Sequence, residues 1–460
     1  MEFFSVPADE DRLLLYRPLR RLAFVGNEAM ARLARQLLDE DAPALDAGSQ
    51  TPPRVRRFLD EIGFLEPDPA PPAEPSLDAT YRPATATLLL TNRCNLRCVY
   101  CYADGGAGPA EEMPFELARA AIDYVHQNAI EEGRSRFEVT FHGGGEPVMA
   151  WRTLQAAAAY ARGRDMDCHL SMVSNGVWTA DQQAWILDNL DSLTISCDGA
   201  PGTQDRQRPR PSGAGSAAAV LETIHALDER AFPYGVRLTA LVPSTDLALG
   251  REQLPHDVEF LCRETGCQSM QAEPAFNTTR GTYRPPGPEQ AEWFASAFMA
   301  AFDVASRYGR RLTFSGARPF LLSSTFCTAP YNALQVTPAG RVVTCYEVSS
   351  PQHPLSGPFT VGEVRDGQVV LNDGRRRAFL ARLAARREGC RDCFCRWHCA
   401  GDCHAKVDWA DVGAQPWDTS ARCQMNRAIT AQMLMWYVSQ AEDGVWRGAT
   451  SLRRESRARP

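Results

Sequence analysis

Leu88 to Gly106 reads LLLTNRCNLRCVYCYADGG. An apolar, strand-like run ends in Cys94, Cys98 and Cys101, spaced C-x3-C-x2-C. Three thiolates on one tight loop can each hold one iron of a 4Fe-4S cluster, which leaves the fourth iron without a protein ligand. An open coordination position is what separates a catalytic metal centre from a structural one. Zinc is the competing reading, but so compact a triplet with no fourth ligand nearby suits it poorly. Tyr100, inside the triplet, reads equally well as a packing aromatic.

Outward from this loop, residues 84–310 alternate between two patterns. TATLLLTN, FEVTFHG, CHLSMVSN, SLTISC, YGVRLTALV and QSMQAEPA are strand candidates, separated by helical stretches. Six strand–helix units in a row imply an α/β fold with a parallel sheet. In such folds ligand chemistry collects at the C-terminal strand ends. Short polar motifs fall there. FHGGGEP carries Gly144, Gly145 and Glu146 after the second strand, VSNG carries Ser174 and Asn175 after the third, and ISCDG carries Ser196 and Asp198 after the fourth. Glycines let backbone approach a ligand closely, and a carboxylate suits a ligand ammonium. DRQRP follows, with Arg206 and Arg208.

Taken in this order, the motifs resemble those of the radical SAM superfamily. Its CxxxCxΦC signature matches Cys94, Cys98, Tyr100 and Cys101, and its GGE motif matches Gly144, Gly145 and Glu146, here with Gly143 in front. The resemblance implies a partial (β/α)6 barrel in which S-adenosylmethionine chelates the open iron and is cleaved by an injected electron to methionine and a 5′-deoxyadenosyl radical. It places Tyr100, Gly144, Gly145, Glu146, Ser174, Asn175 and Ser196 around that cofactor. Asp198 and Asp402 are nominees for a general base.

Beyond residue 311 the alternation stops. LQVTPAGRVVTCYEVS suggests a hairpin turning at Pro338–Gly340, and RCQMNRAITAQMLMWYVSQ an amphipathic helix. Eight cysteines crowd this third: Cys327, Cys345, Cys390, Cys393, Cys395, Cys399, Cys403 and Cys423. Seven of them follow C-x12-G-x4-C, C-x2-C-x5-C-x3-C and a final C, enough thiolates for two further clusters. Zinc ribbons account for four such cysteines but not for seven in this order. The pattern resembles the SPASM extension of peptide-modifying radical SAM enzymes. That resemblance assigns Cys327, Cys345 and Cys403 to a cluster near the active site and Cys390, Cys393, Cys399 and Cys423 to a distal one. Cys395 is an extra thiol inside the array, read as a spare ahead of an alternative ligand or the missing fourth ligand of the nearer cluster. His398 and His404 read as packed or solvated, and Cys168, Cys197, Cys262 and Cys267 as buried small hydrophobes.

Residues 1–65 suggest two strands in LLLYRPLRRLAFVG and helices in NEAMARLARQLL and RVRRFLDEIGFLE. This order resembles the winged-helix-like recognition element of ribosomal-peptide maturases, which implies capture of a leader peptide as an added strand. Arg17, Arg20 and Arg21 would contact acidic leader residues or simply form a solvated face. Residues 66–83 read as a Pro-rich linker, 84–310 as the barrel, 311–445 as the cysteine-rich SPASM domain and 446–460 as a disordered tail.

The 460 residues carry a net charge of -7 and 15 cysteines. The acidic balance argues against a nucleic-acid partner. No apolar run approaches the roughly 20 residues of a membrane span, and the start lacks a basic-then-apolar signal. Cysteine in a non-exported chain reads as metal or redox chemistry rather than disulfides, so a cytoplasmic location is expected. Of 49 lysines and arginines only Lys406 is lysine, which looks like base-composition bias. The expected function is that of a maturase carrying three 4Fe-4S clusters and S-adenosylmethionine, cross-linking a ribosomally made precursor peptide or small protein through a thioether or a carbon–carbon bond. Its reductant would be flavodoxin or ferredoxin. The alternatives are a sulfatase-type formylglycine maturase and a non-catalytic iron–sulfur carrier or peptide scaffold.

Overall fold

The computed structural model describes residues 1–9, 11–39, 53–242, 250–275, 287–406 and 420–448. Three short strands open the chain: β1 (Phe4–Pro7), β2 (Leu13–Arg17) and β3 (Leu22–Gly26), paired antiparallel in sequence order. Alternate residues of a strand point to opposite faces. Leu15, Leu22 and Phe24 therefore bury one face against α1 (Glu28–Leu38) and α2 (Pro53–Glu61), with Ala31, Ala34, Leu38 and Leu59 opposite them. The Asn27 side chain caps α1 by accepting the Met30 N–H at 2.9 Å. The sequence showed β2, β3 and both helices but not β1.

The barrel follows. Strands β4 (Thr85–Leu89), β5 (Arg136–His142), β6 (Asp167–Ser174), β7 (Ser192–Ser196), β8 (Tyr234–Leu241), β9 (Ser269–Ala275) and β10 (Arg311–Thr313) lie side by side in chain order, all parallel. Helices α3 (Phe115–Glu131), α4 (Trp151–Arg162), α5 (Ala180–Asn189), α6 (Pro201–Gln207), α7 (Ala217–Glu229), α8 (Gln253–Glu264) and α9 (Pro288–Arg307) make the crossovers. Right-handed crossovers advancing in one direction place every helix on the same outer face and leave the inner face as the concave wall. The six strand candidates correspond to β4 through β9. Cys168, Cys197, Cys262 and Cys267 are buried in this core beside Phe137, Phe141, Leu170 and Leu238.

β11 (Ala333–Val336) joins the same sheet parallel to β4. It turns through Gly340, φ +80°, into antiparallel β12 (Arg341–Val343), followed by β13 (Thr360–Arg365) and β14 (Gln368–Leu371). The expected hairpin is thus the first part of a four-stranded extension, and the expected helix spans Ala421–Gln440. The chain then returns to its beginning: β15 (Val445–Arg447) pairs antiparallel with β3. Trp446 and Arg447 are therefore strand residues rather than tail, and 449–460 lie outside the described residues.

The face of the N-terminal sheet carrying Leu14, Tyr16 and Ala23 packs on Phe394, Leu434, Val438 and Trp446, which joins the first unit to the cysteine-rich region. Residues 66–83 form no helix or strand, but they are tied down. Buried Arg17 binds Asp68 at 2.6 Å and the Glu66 carbonyl at 2.8 Å, Arg20 binds the Pro67 carbonyl at 2.6 Å, and Ser324 binds the Ala73 carbonyl at 2.6 Å. Arg21 reaches the Phe320 carbonyl at 3.2 Å. The three arginines offered above to a leader peptide instead fasten the chain to itself. No helix among the described residues is long and apolar enough to cross a membrane.

Candidate active site

Cys94, Cys98 and Cys101 lie on the loop leaving the C-terminal end of β4, each half-buried. Neighbouring backbone fixes this loop from two sides. Gly145 N–H donates to the Thr91 carbonyl at 2.8 Å and Glu146 N–H to the Arg93 carbonyl at 2.8 Å. On the other side Arg97 N–H donates to the Pro209 carbonyl at 2.7 Å and Val99 N–H to the Gln207 carbonyl at 3.0 Å. The glycine requirement is steric: a Cβ on Gly145 would stand 2.0 Å from the Arg93 oxygen. N–H groups aim at the sulfurs, from Leu96 to Cys94 at 3.4 Å and from Gly105 to Cys101 at 3.3 Å.

Beside the loop, Glu146 is 2% exposed. It accepts Ser174 Oγ–H at 2.6 Å and the Asn175 N–H at 2.8 Å, which joins the ends of β5 and β6. Burial pushes its carboxyl up to about 7 despite these donors. Asn175 Nδ2 donates to Asn95 at 2.8 Å and lies 3.9 Å from Cys94 Sγ. Ser196 ends β7 opposite Arg237 of β8.

Asp198 is not placed as a base. Its carboxylate is buried and fully engaged: Arg208 Nη2 donates at 3.1 Å, Arg208 Nε lies 3.0 Å from Oδ2, the Thr239 N–H donates at 2.9 Å, and the Tyr100 hydroxyl also donates to it. So held, Arg208 places Nη1 3.9 Å from Cys98 Sγ and its guanidinium 5.3 Å above the Tyr100 ring. Asp402, the other nominee, is clamped by Arg422 at 2.8 and 2.9 Å with Arg386 at 3.9 Å, and these cations hold its carboxyl far below the usual range against the cost of burial. Arg206 lies apart, donating to the Gly202 carbonyl at 2.9 Å.

None of the 15 cysteines is in a disulfide. The C-terminal ones gather in two groups. Cys345 neighbours Cys403 and Cys327. Cys390 neighbours Cys393 and Cys423, and Cys399 neighbours Cys423 and Cys390. Cys395, 1% exposed, neighbours Cys393 and Cys399. His398 and His404 are buried, and burial lowers each to about 4.

The radical SAM superfamily matches residues 88–247, from the end of β4 through the loop, Glu146, Ser174, Asn175, Asp198 and Arg208. Residues 88–247 are a radical SAM domain. The chain is similar to the sporulation killing factor maturation protein SkfB of Bacillus subtilis, 29% identical over 45% of this chain and 46% of SkfB. It is also similar to GTP 3',8-cyclase 2 of Mycobacterium tuberculosis, 33% identical over 30% of this chain and 37% of that protein. The chain spans about half the length of the curated relatives it matches first. The structure of anSMEcpe with bound AdoMet and the Kp18Cys peptide superposes with a TM-score of 0.59 over 78% of this chain and 99% of that one. At 15% identity that likeness concerns the fold.

A radical SAM domain uses a 4Fe-4S cluster and S-adenosylmethionine, and the donor set fits. The loop offers three thiols with N–H groups already directed at two of the sulfurs and a buried cation near the third, the environment a thiolate needs. Without metal, burial pushes Cys94 up to about 12 and Cys98 to about 11. Among the described residues no three His, Cys, Asp or Glu side chains close on one point as ligands of a single ion do. Ligands of a cluster hold separate irons and need not converge in that way.

The sequence did not indicate what closes the barrel mouth. Tyr346, next to Cys345, stacks on His142 of β5 with centroids 4.2 Å apart, lies 6.2 Å from the ring of Tyr102, and accepts from Arg237 of β8 at 3.3 Å. A Cβ on Gly144 would meet Ser349 Oγ at 2.8 Å. The loop after Cys345 is therefore seated directly on the GGG turn. Only the adjacency of each tyrosine to a cysteine, CY at 101–102 and CY at 345–346, could have hinted at it.

Proposed function

We propose that the protein is a radical SAM maturase of the SPASM type, acting on a ribosomally made precursor peptide. One observation carries the reading. The triplet loop, Glu146 and Asn175 meet at the C-terminal ends of β4, β5 and β6, and the turn bearing Cys345 closes over the same mouth. Thiols thus stand on both sides of the same barrel mouth.

When bound, the cluster and S-adenosylmethionine supply an electron and a radical able to abstract hydrogen from an unactivated carbon. Cys94, Cys98 and Cys101 hold the cluster. Glu146, kept in place by Ser174 and the Asn175 N–H, receives the ammonium of the cofactor. Gly144 and Gly145 let backbone approach it closely. Arg208, fixed by Asp198, presents its charge to Cys98. Cys327, Cys345 and Cys403 hold one auxiliary cluster, and Cys390, Cys393, Cys399 and Cys423 a second. Held by Cys327, Cys345 and Cys403, the first would supply an electron acceptor for formation of a thioether or carbon–carbon link. The location is the reducing cytoplasm and the reductant a flavodoxin or ferredoxin.

The N-terminal sheet is the proposed leader site. β15 lies against β3, so an added strand has β1 or the outer side of β15 to pair with. Co-expression with short reading frames beside the gene, followed by mass spectrometry, tests the reading. A peptide that loses two hydrogens per link supports it. A cysteine converted to an aldehyde favours the formylglycine alternative, and an unmodified peptide with a fully loaded enzyme counts against both.

A further inference from the structure

The first auxiliary group has three thiols where the second has four. Among the described residues no fourth thiol approaches it, since Cys395 belongs with Cys393 and Cys399. The two turns that carry Cys345 and Cys403 are nevertheless joined. Glu347 follows Cys345 by two residues. Lys406 follows Cys403 by three, and its N–H donates to the Cys403 carbonyl at 3.1 Å. The side chains meet with Lys406 Nζ 3.7 Å from Glu347 Oε1, 18% and 14% exposed. The ion pair therefore joins the turn that carries Cys345 to the turn that carries Cys403.

We propose that Glu347 supplies the fourth protein ligand of the auxiliary cluster held by Cys327, Cys345 and Cys403. Carboxylate oxygen is an accepted iron ligand, and replacement of thiolate by another donor at an iron–sulfur corner has precedent in histidine-ligated clusters. Among the described residues, three neighbouring donors are committed elsewhere. Asp402 is clamped by Arg422 at 2.8 and 2.9 Å. His404 lies 5.5 Å from each of the Phe359 and Phe379 rings, with Nε2 3.3 Å from the Thr344 carbonyl. The Tyr346 hydroxyl is taken by Arg237. The Glu347 to Lys406 distance of 3.7 Å is a charge contact rather than a hydrogen bond, so Glu347 can bind metal while keeping its cation. The one lysine of the chain thus acquires a structural reason: a compact ammonium fits beside a ligating carboxylate, where a forked guanidinium would compete for both oxygens.

This assignment rests on the two auxiliary clusters proposed above, and the test separates the two ideas. The full chain is reconstituted anaerobically, its iron counted, and its reduced clusters recorded by electron paramagnetic resonance, with the signal that responds to S-adenosylmethionine assigned to the triplet. The native chain should hold about twelve irons and show auxiliary signals indifferent to added cyanide. Glu347→Gln should either lose one iron, giving a three-iron signal, or gain a cyanide-sensitive one. Glu347→Cys should restore a cyanide-insensitive cluster with shifted g-values. Glu347→Gln matching the native chain in g-values, iron content and cyanide response overturns the assignment, as does cyanide binding to an auxiliary cluster of the native chain. A native chain holding only about eight irons overturns the two-cluster reading itself, and the ligand assignment with it.

Discussion

Glu146 acts through its burial. With its carboxyl near 7, the group is neutral for part of the time until a cation arrives, and hydrogen bonds from Ser174 and Asn175 oppose the shift. Its ionised form is the one a ligand ammonium needs. Below pH about 7 S-adenosylmethionine should therefore bind about tenfold more weakly per pH unit, and the dependence should flatten above that point. Glu146→Gln should weaken binding by about 1.5–3 kcal/mol and remove that slope, as read by calorimetry on reconstituted protein. Arg208 and Asp198 form a buried pair, and removing one member strands the other. Arg208→Ala should cost about 3–5 kcal/mol in thermal unfolding, most of it recovered by adding Asp198→Asn. Both residues were visible in the sequence because they follow a strand. Their mutual commitment was not, because which carboxylate meets which cation is decided by how the loop after β7 folds back over Tyr100, 98 positions away from Asp198.

At the scale of elements, spacing was informative wherever the motif and the element coincide. The triplet sits just after β4, GGGE after β5, SNG at the end of β6 and SCDG at the end of β7 because a parallel strand ends where its loop must carry chemistry. Elements too short to show a period were missed. β1 has four residues and β15 three, fewer than alternation needs to declare itself. Both are nonetheless structural. Trp446 is 2% exposed and packs on Phe320, 5.6 Å away, with Tyr16 and Tyr437 about it. Trp446→Ala should cost about 3–5 kcal/mol and raise amide exchange in β3 first, because β15 closes that edge. Gly145→Ala tests the loop seat: with backbone oxygen 2.0 Å from the new carbon, the turn must move away from Arg93. Cluster loading should then fall while the far-UV spectrum is kept.

Across the whole molecule, the first unit, barrel and cysteine-rich region are continuous. The sheet runs from β10 through the barrel into β14, and the last strand returns to the first sheet. Residues 66–83, which read as a tether, lie fastened by Arg17 and Arg20 because their carbonyls and carboxylates fill donors the sequence left looking exposed. The grouping of distant cysteines was expected from the family resemblance that their spacing carries, whereas the stacking of Tyr346 on His142 spans two regions and has no local signature. The central claim is that the 94–101 triplet is the radical-forming centre and the C-terminal cysteines serve separate clusters. Its most direct measurement compares the native chain with the Cys94→Ala, Cys98→Ala, Cys101→Ala variant, both reconstituted anaerobically and given S-adenosylmethionine and reductant. The native chain should release 5′-deoxyadenosine, and the variant should release none while retaining about eight irons. Continued release of 5′-deoxyadenosine by the variant, or a variant that holds zinc in place of iron, would contradict the account.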